Sequence, residues 1–256
     1  MSDSGVRLDR DGPVATVTLC RPHVLNAQTP ALWAELRTIA GELSGEVRVV
    51  VVRGEGRAFS AGLDLAAVRG ETTPGGYSFA ELARLPEPDA LAAVASFQEA
   101  FAWLRRPDLV SIAAVQGHAI GAGFQLALAC DLRILAADAQ LTMAEVALGL
   151  VPDLGGTKRL VELVGYARAM DICLTGRRVG AAEADRLGLA TSVVAPDDLD
   201  RTVADLTAQI LSAHRDAIVE IKALLTQAAD RTFADQERAE REAQVRRIRD
   251  LIGQGD

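Results

Sequence analysis

Apolar positions along this chain follow two alternating rhythms. Residues 14–19 alternate Val, Thr and Leu behind an Asp11-Gly12 turn, which predicts a half-buried strand that Pro22 ends. Thr29-Pro30 reads as a helix start, threonine as N-cap and proline at the first helical position, with Leu32, Leu36, Ile39 and Leu43 as one apolar stripe. Residues 47–52 and 112–115 are apolar throughout, which suits strands buried on both faces. A helix is expected over 90–104, ending before Pro107, and another over 126–129. Residues 132–135 are strand-like and 140–143 form a short extended piece. Beyond Gly155-Gly156, Thr157 is expected to cap a helix carrying Leu160, Leu163 and Val164; a further helix over 181–187 ends at Gly188, and 193–194 is a brief strand. Strands that alternate with helices place the fold in the α/β class.

After Pro196 the rhythm becomes helical only. Leu199, Val203, Leu206 and Ile210 mark one amphipathic helix, and Ile218, Ile221 and Leu225 a second. Phe233, Val245, Ile248 and Leu251 punctuate a highly charged third. Residues 1–196 therefore read as a core and 197–256 as a helical C-terminal region. Between the two halves of the core, residues 66–90 are broken by Gly70, Pro74, Gly75, Gly76, Pro86 and Pro88. They read either as a lid or pocket wall, or as a surface loop with no role.

Composition narrows the function classes. The chain has 256 residues, 49% of them apolar, and a formal charge of −8, which argues against a nucleic-acid partner. Cys20, Cys130 and Cys173 are far apart with no zinc or redox spacing, so reduced thiols and a cytoplasmic location are expected. No secretory leader opens the sequence, and no apolar run is long enough for a membrane span. Phosphate-loop, dinucleotide-binding, zincin and nucleophile-elbow motifs are missing. Of the histidines His23, His118 and His214, only His118 lies near a glycine-rich turn, where it reads as a packed residue or as a catalytic one. Acid–base chemistry must then come mainly from carboxylates.

Two glycine-broken stretches follow the apolar runs. One passes through Gly54 and Gly56 into Ala58-Phe59-Ser60-Ala61-Gly62-Leu63-Asp64; the other passes through Gly117 into Gly121-Ala122-Gly123-Phe124-Gln125. Turns of small residues let the backbone approach a ligand and present free N–H donors. Two such turns converging on one carbonyl oxygen would form an oxyanion hole for enolate-like charge. Glu145 lies among apolar residues, where low dielectric raises a carboxyl pKa toward neutrality; it also fits a helix-terminus or ion-pair acid.

Together these segments resemble the crotonase superfamily, the enoyl-CoA hydratase/isomerase family. The resemblance runs from Arg21-Pro22 and Asn26-Ala27 through 58–65 and 113–131 to 145–160, and continues in Arg168-Ala169, Leu174-Thr175-Gly176, Glu183-Ala184 and Gly188-Leu189. It implies a spiral of repeated ββα units followed by helices that build homotrimers or dimers of trimers. It implies an acyl-CoA thioester as ligand, with coenzyme A entering as part of the substrate and no metal or redox cofactor. By match to the family motif, the N–H groups of Ala61 and Ala122 are the oxyanion donors. Val24, Leu25, Asn26 and Ala61, Gly62, Leu63, Asp64 and Leu65 line the CoA channel. Phe79, Leu82, Phe97, Phe101 and Trp103 are candidates for the acyl tail.

Family hydratases position water with two glutamates. The later one matches Glu145, but the earlier matches Gln125, an amide that cannot act as a base. Gln125 is then a hydrogen-bonding partner of water or substrate, or a cap on a polar spot. Asp153 matches an aspartate of family dienoyl and ring-oxepin isomerases, and reads as a second acid/base or as a turn-fixing residue. The expected activity is double-bond isomerisation in an unsaturated acyl-CoA. Alternatives are a 2-enoyl-CoA hydratase working through Glu145 alone and a non-catalytic acyl-CoA binder. Thioester hydrolysis and decarboxylation are also found on this scaffold.

Overall fold

Strand β1 (Val6–Asp11) turns back through Gly12 into β2 (Val14–Leu19), an antiparallel hairpin, in the computed structural model, which describes residues 4–43, 45–69 and 78–253. Helix α1 (Pro30–Glu42) starts as its sequence dictates: Thr29 Oγ1 accepts from the Leu32 N–H at 3.2 Å, and Pro30 opens the first turn. Its stripe Leu32, Leu36 and Ile39 is fully buried, each worth about 1.5–3 kcal/mol of transfer free energy. Strand β3 (Val49–Gly54) leads through the short helices α2 (Leu65–Val68) and α3 (Phe79–Leu82) to α4 (Glu87–Ala102). Ser78 and Glu81 form a reciprocal capping box on α3. Residues 70–77 of the irregular stretch lie outside the described residues.

Strands β4 (Val110–Val115) and β5 (His118–Ile120) precede α5 (Ala122–Ala129), and β6 (Leu132–Ala136) and β7 (Gln140–Thr142) follow it. Next come α6 (Gly156–Val164), α7 (Tyr166–Thr175), β8 (Arg178–Gly180), α8 (Ala181–Arg186) and β9 (Ser192–Val194). The N-cap of α6 is Gly155 at φ +83, so Thr157 sits inside the first turn and does not cap it. Three long helices close the chain: α9 (Leu199–Ser212), α10 (Arg215–Gln227) and α11 (Phe233–Gly253).

The strand pairing shows a spiral. The large sheet runs β1-β2-β3-β4-β6-β9, parallel from β2 onward. A smaller sheet, β5-β7-β8, has β5 and β7 parallel. Single parallel bridges extend this second layer, Gln28 to Leu63 and Ser60 to Ala119. Each turn of the chain thus lays one strand in the large sheet and a short extended piece in the second layer. Strand β3 explains why its sequence is apolar throughout. Val50 and Val52 face the inner core with Leu36, Phe59 and Phe101, while Val49 and Val51 face an outer core completed by Leu199 and Val203 of α9. Arg48 ties α9 down from below: its guanidinium donates to the carbonyls of Leu211 at 3.0 Å and Ala213 at 2.8 Å, at the helix C-terminus.

The last two helices form where the sequence predicts them and leave much of their apolar surface outside. Two residues of the α10 stripe, Ile221 and Leu225, are exposed, and the buried residue is Lys222. Phe233, Val245, Ile248 and Leu251 of α11 are likewise exposed, with only Ala243 buried. No described helix is long and apolar enough to cross a membrane.

Candidate active site

A cavity of about 750 Å³ opens between the second layer and α4. Its wall carries Ala61, Gly62, Leu63, Asp64 and Leu65, then Gly121 and Ala122, and then Gln125, Glu145 and Asp153. Trp33, Phe79, Leu82, Val94 and Phe97 supply the apolar part. Of the proposed tail residues, Phe79, Leu82 and Phe97 line it; Phe101 and Trp103 are buried in the inner core instead. Val24 lines it as expected, but Leu25 and Asn26 do not.

Both residues act as braces in a tight turn, at φ +53 and +56 respectively. Asn26 is fully buried; its amide donates to the Glu55 and Ala58 carbonyls at 2.9 and 2.8 Å and its oxygen accepts from the Arg21 N–H. Arg21 also bonds the Ala27 carbonyl and pairs with Asp64 at 3.0 Å, so the chain between residues 21 and 64 is closed by one guanidinium.

This bracing corrects one sequence expectation. The Ala61 N–H donates to the Leu25 carbonyl at 2.8 Å, so that amide is already committed and does not point at a ligand. The Phe59 and Ser60 amides bond Gln116 and His118, the Gly62 amide bonds Ser60 Oγ, and the Asp64 amide bonds Gln28. From Phe59 to Asp64, the Leu63 N–H alone has no acceptor among the described residues. The second turn keeps its donor. Gly121 accepts from the Gln125 N–H at 2.9 Å to begin α5, leaving Ala122 in the first helical position with its N–H unengaged among the described residues.

The two turns abut. Gly62, at φ +81, brings its backbone so close that a Cβ there would stand 2.3 Å from the Ile120 oxygen and 3.4 Å from the Ala122 nitrogen. Gly121, at φ +51, is where the carboxylate enters: a Cβ there would be 3.2 Å from Glu145 Oε1. Small residues in both stretches therefore let an amide pair and an acid share one wall.

Glu145 begins a 3₁₀ turn after β7 and is only 8% exposed. Its Oε1 accepts from Gln125 Nε2 at 2.7 Å, and its Oε2 has no partner among the described residues. Burial pushes the Glu145 carboxyl above the usual carboxylate range; the nearby Asp153 charge adds to this, while the Gln125 hydrogen bond and local amides oppose it. Asp153 is also pushed upward by burial. The fold thus brings both sequence-selected acids to one cavity. His118 does not join them; it lies half-buried on β5 and its backbone carbonyl receives the Ser60 N–H.

Comparison with known proteins identifies the family. A model of the family described as "Enoyl-CoA hydratase/isomerase" matches residues 9–251. This chain belongs to that family. The short-chain-enoyl-CoA hydratase of Clostridium acetobutylicum is 34% identical over 215 residues, 83% of this chain and 77% of the relative. The crystal structure of a "putative enoyl-CoA hydratase" from Thermobifida fusca YX in complex with CoA is 50% identical, with a TM-score of 0.92 over 98% of this chain and 95% of that one. A structure of the Thermobifida protein with acetoacetyl-CoA matches at 51% identity and a TM-score of 0.92, covering 96% of each chain. Members of the enoyl-CoA hydratase/isomerase family with bound CoA therefore share this fold almost end to end.

What the sequence missed in the site is the free amide of Leu63 and the role of Asn26. A polar residue between apolar neighbours was the available signal for Asn26. Nothing local marks Leu63, because the acceptor that engages the Ala61 N–H comes from residue 25.

Proposed function

We propose that this enzyme moves a carbon–carbon double bond in an unsaturated acyl-CoA thioester, converting a 3-enoyl to a 2-enoyl group. The N–H groups of Leu63 and Ala122 hold the thioester oxygen as it takes on enolate charge. The Glu145 carboxylate removes a proton from C2, giving the dienolate, and the resulting carboxylic acid returns that proton to C4. The double bond thus moves to C2–C3 with no net gain or loss of atoms. Asp153, on the same wall, is the second acid/base that shares the proton with Glu145. Acyl-CoA as the ligand is supported by the Thermobifida structures with CoA and acetoacetyl-CoA, the latter an enolisable thioester.

One observation carries the choice of isomerisation. Both lone pairs of the Gln125 oxygen are taken, by the Leu154 N–H at 2.9 Å and the Gly156 N–H at 3.3 Å. That oxygen has nothing left to align a water, and an amide removes no proton. A second reading, hydration of a 2-enoyl-CoA by Glu145 with the spare Gln125 N–H touching water, is favoured by the hydratase names of the relatives.

Purified enzyme given a 3-enoyl-CoA should raise the conjugated enoyl-thioester absorbance, and Glu145→Ala should lower kcat by a factor of about 10³ or more, general acid–base groups contributing roughly 10²–10⁴. Consumption of 2-enoyl-CoA to a 3-hydroxyacyl product, without conversion of any 3-enoyl-CoA, would replace isomerisation by hydration. Turnover of neither, with tight acyl-CoA binding, would leave a binder.

We further infer that the chain assembles as trimers or dimers of trimers, supported by the outward apolar residues of α10 and α11.

A further inference from the structure

A primary amide and a carboxylate in contact leave an ambiguity about which atom holds a proton, and this fold resolves it from the outside. Gln125 is 1% exposed on α5, one helical turn from the Ala122 amide. Its oxygen is fixed by two main-chain donors of the turn before α6, the Leu154 and Gly156 N–H groups. Turning the amide over would set its NH₂ against those N–H groups, so the observed orientation is the only satisfied one. Nε2 must therefore face Glu145 Oε1, which it meets at 2.7 Å, and it faces it as a donor.

We propose that Gln125 is a positioning residue: its locked amide makes Glu145 Oε1 a permanent acceptor and so assigns the proton that Glu145 carries to Oε2. This deepens the isomerase reading and uses the same site, but its logic does not depend on which acyl-CoA is turned over. Oε2 is buried without a partner among the described residues, so a proton placed there is engaged by no protein hydrogen bond in the ligand-free site. Burial of that atom and the opposed pull of Gln125 act together on the one carboxyl group. Two other titratable groups bear on it: Asp153, from the turn before α6, and Cys173 of α7, whose thiol is raised by burial and by the Glu145 charge. Neither is hydrogen-bonded to Oε2.

Gln125→Glu separates positioning from anchoring. A carboxylate at 125 accepts from Leu154 and Gly156 as well as the amide does, so the turn before α6 stays anchored. Its second oxygen, however, faces Oε1 as an acceptor, and the two carboxyl groups must then share a proton and titrate as a coupled pair. The ¹³C resonance of the Glu145 carboxyl, assigned by its disappearance in Glu145→Gln, is followed against pH in ligand-free enzyme. The expected result is a titration midpoint about one pH unit or more higher in Gln125→Glu than in wild type, with thermal unfolding cooperative in both. The acid limb of kcat/KM for 3-enoyl-CoA should move by the same amount. An unmoved NMR midpoint in a folded variant overturns the proposal and leaves Gln125 as an anchor. A moved midpoint without turnover of 3-enoyl-CoA supports the proposal while removing the isomerase reading.

Discussion

Burying a carboxylate oxygen that has no partner costs stability, and at Glu145 the sign of that cost can be worked out. Its folded-state pKa lies above the unfolded value because burial disfavours the charged form. Between the two values the native state binds more protons than the unfolded chain, so stability falls as pH rises through that window. Glu145 is therefore harmless below the ordinary carboxylate range, about pH 4.3, and destabilising above it. Glu145→Gln should raise stability at pH 7–8 and by nothing measurable near pH 4. Urea midpoints at both pH values check this. An equal gain at pH 4 would mean that shape, not charge, is responsible. A carboxyl buried at such a cost fits the proton-transfer role proposed for Glu145, which is why the residue scale points to function more sharply than composition does.

Elements are held by their least apolar residues as much as by their stripes. Helix α10 is latched by Lys222, whose ammonium donates to Asp131 Oδ2 at 2.7 Å and to the Leu109 and Leu104 carbonyls at 2.7 and 3.4 Å. Asp131 Oδ2 also accepts from the Ser111 N–H and hydroxyl, so α10, the end of α5 and the start of β4 meet at one carboxylate. Lys222→Met keeps the aliphatic stem and strips the three bonds. It should cost about 2–4 kcal/mol in a urea melt, as expected for removing one partner of a largely buried pair. A loss below 0.5 kcal/mol, the ordinary scale of exposed pairs, would show the latch to be ornamental. This latch was not legible in the sequence. Ile218, Ile221 and Leu225 mark α10 as amphipathic, but periodicity reports that a helix has an apolar face, not which neighbour covers it. Local code held at Thr29-Pro30, which begins α1, and over 14–19, which is β2, but not at Thr157, where Gly155 is the N-cap. Strands β5 and β8 span three residues each and carry too little pattern to be seen. Their partners, β7 and the bridge at Ser60, arrive from distant turns of the spiral. The same distance hid the exchange of Ala61 for Leu63 as the open amide, since Leu25 makes the difference.

At the scale of the whole molecule, the outward apolar residues of the last two helices become informative. Ile221 and Leu225 on α10, with Val245, Ile248 and Leu251 on α11, leave large apolar side chains on the outside of two helices that pack against each other. Single exposed apolar residues are ordinary, but five on two adjoining helices are what an interface between copies would use. Charge ties the two helices together, because Arg246 and Glu220 bridge them at 2.8 Å. If these residues meet copies of themselves, a charge there must be desolvated on assembly, and each copy contributes one. Leu225→Asp combined with Ile248→Asp should therefore reduce the sedimenting species from a trimer or hexamer to a single 27.1 kDa chain, because each substitution is repeated in every subunit while the fold of the chain is untouched. Sedimentation velocity at micromolar concentration decides it, with circular dichroism as the check on folding. A wild-type chain that already sediments at 27.1 kDa would refute the assembly and return α10 and α11 to the status of a solvated apolar surface.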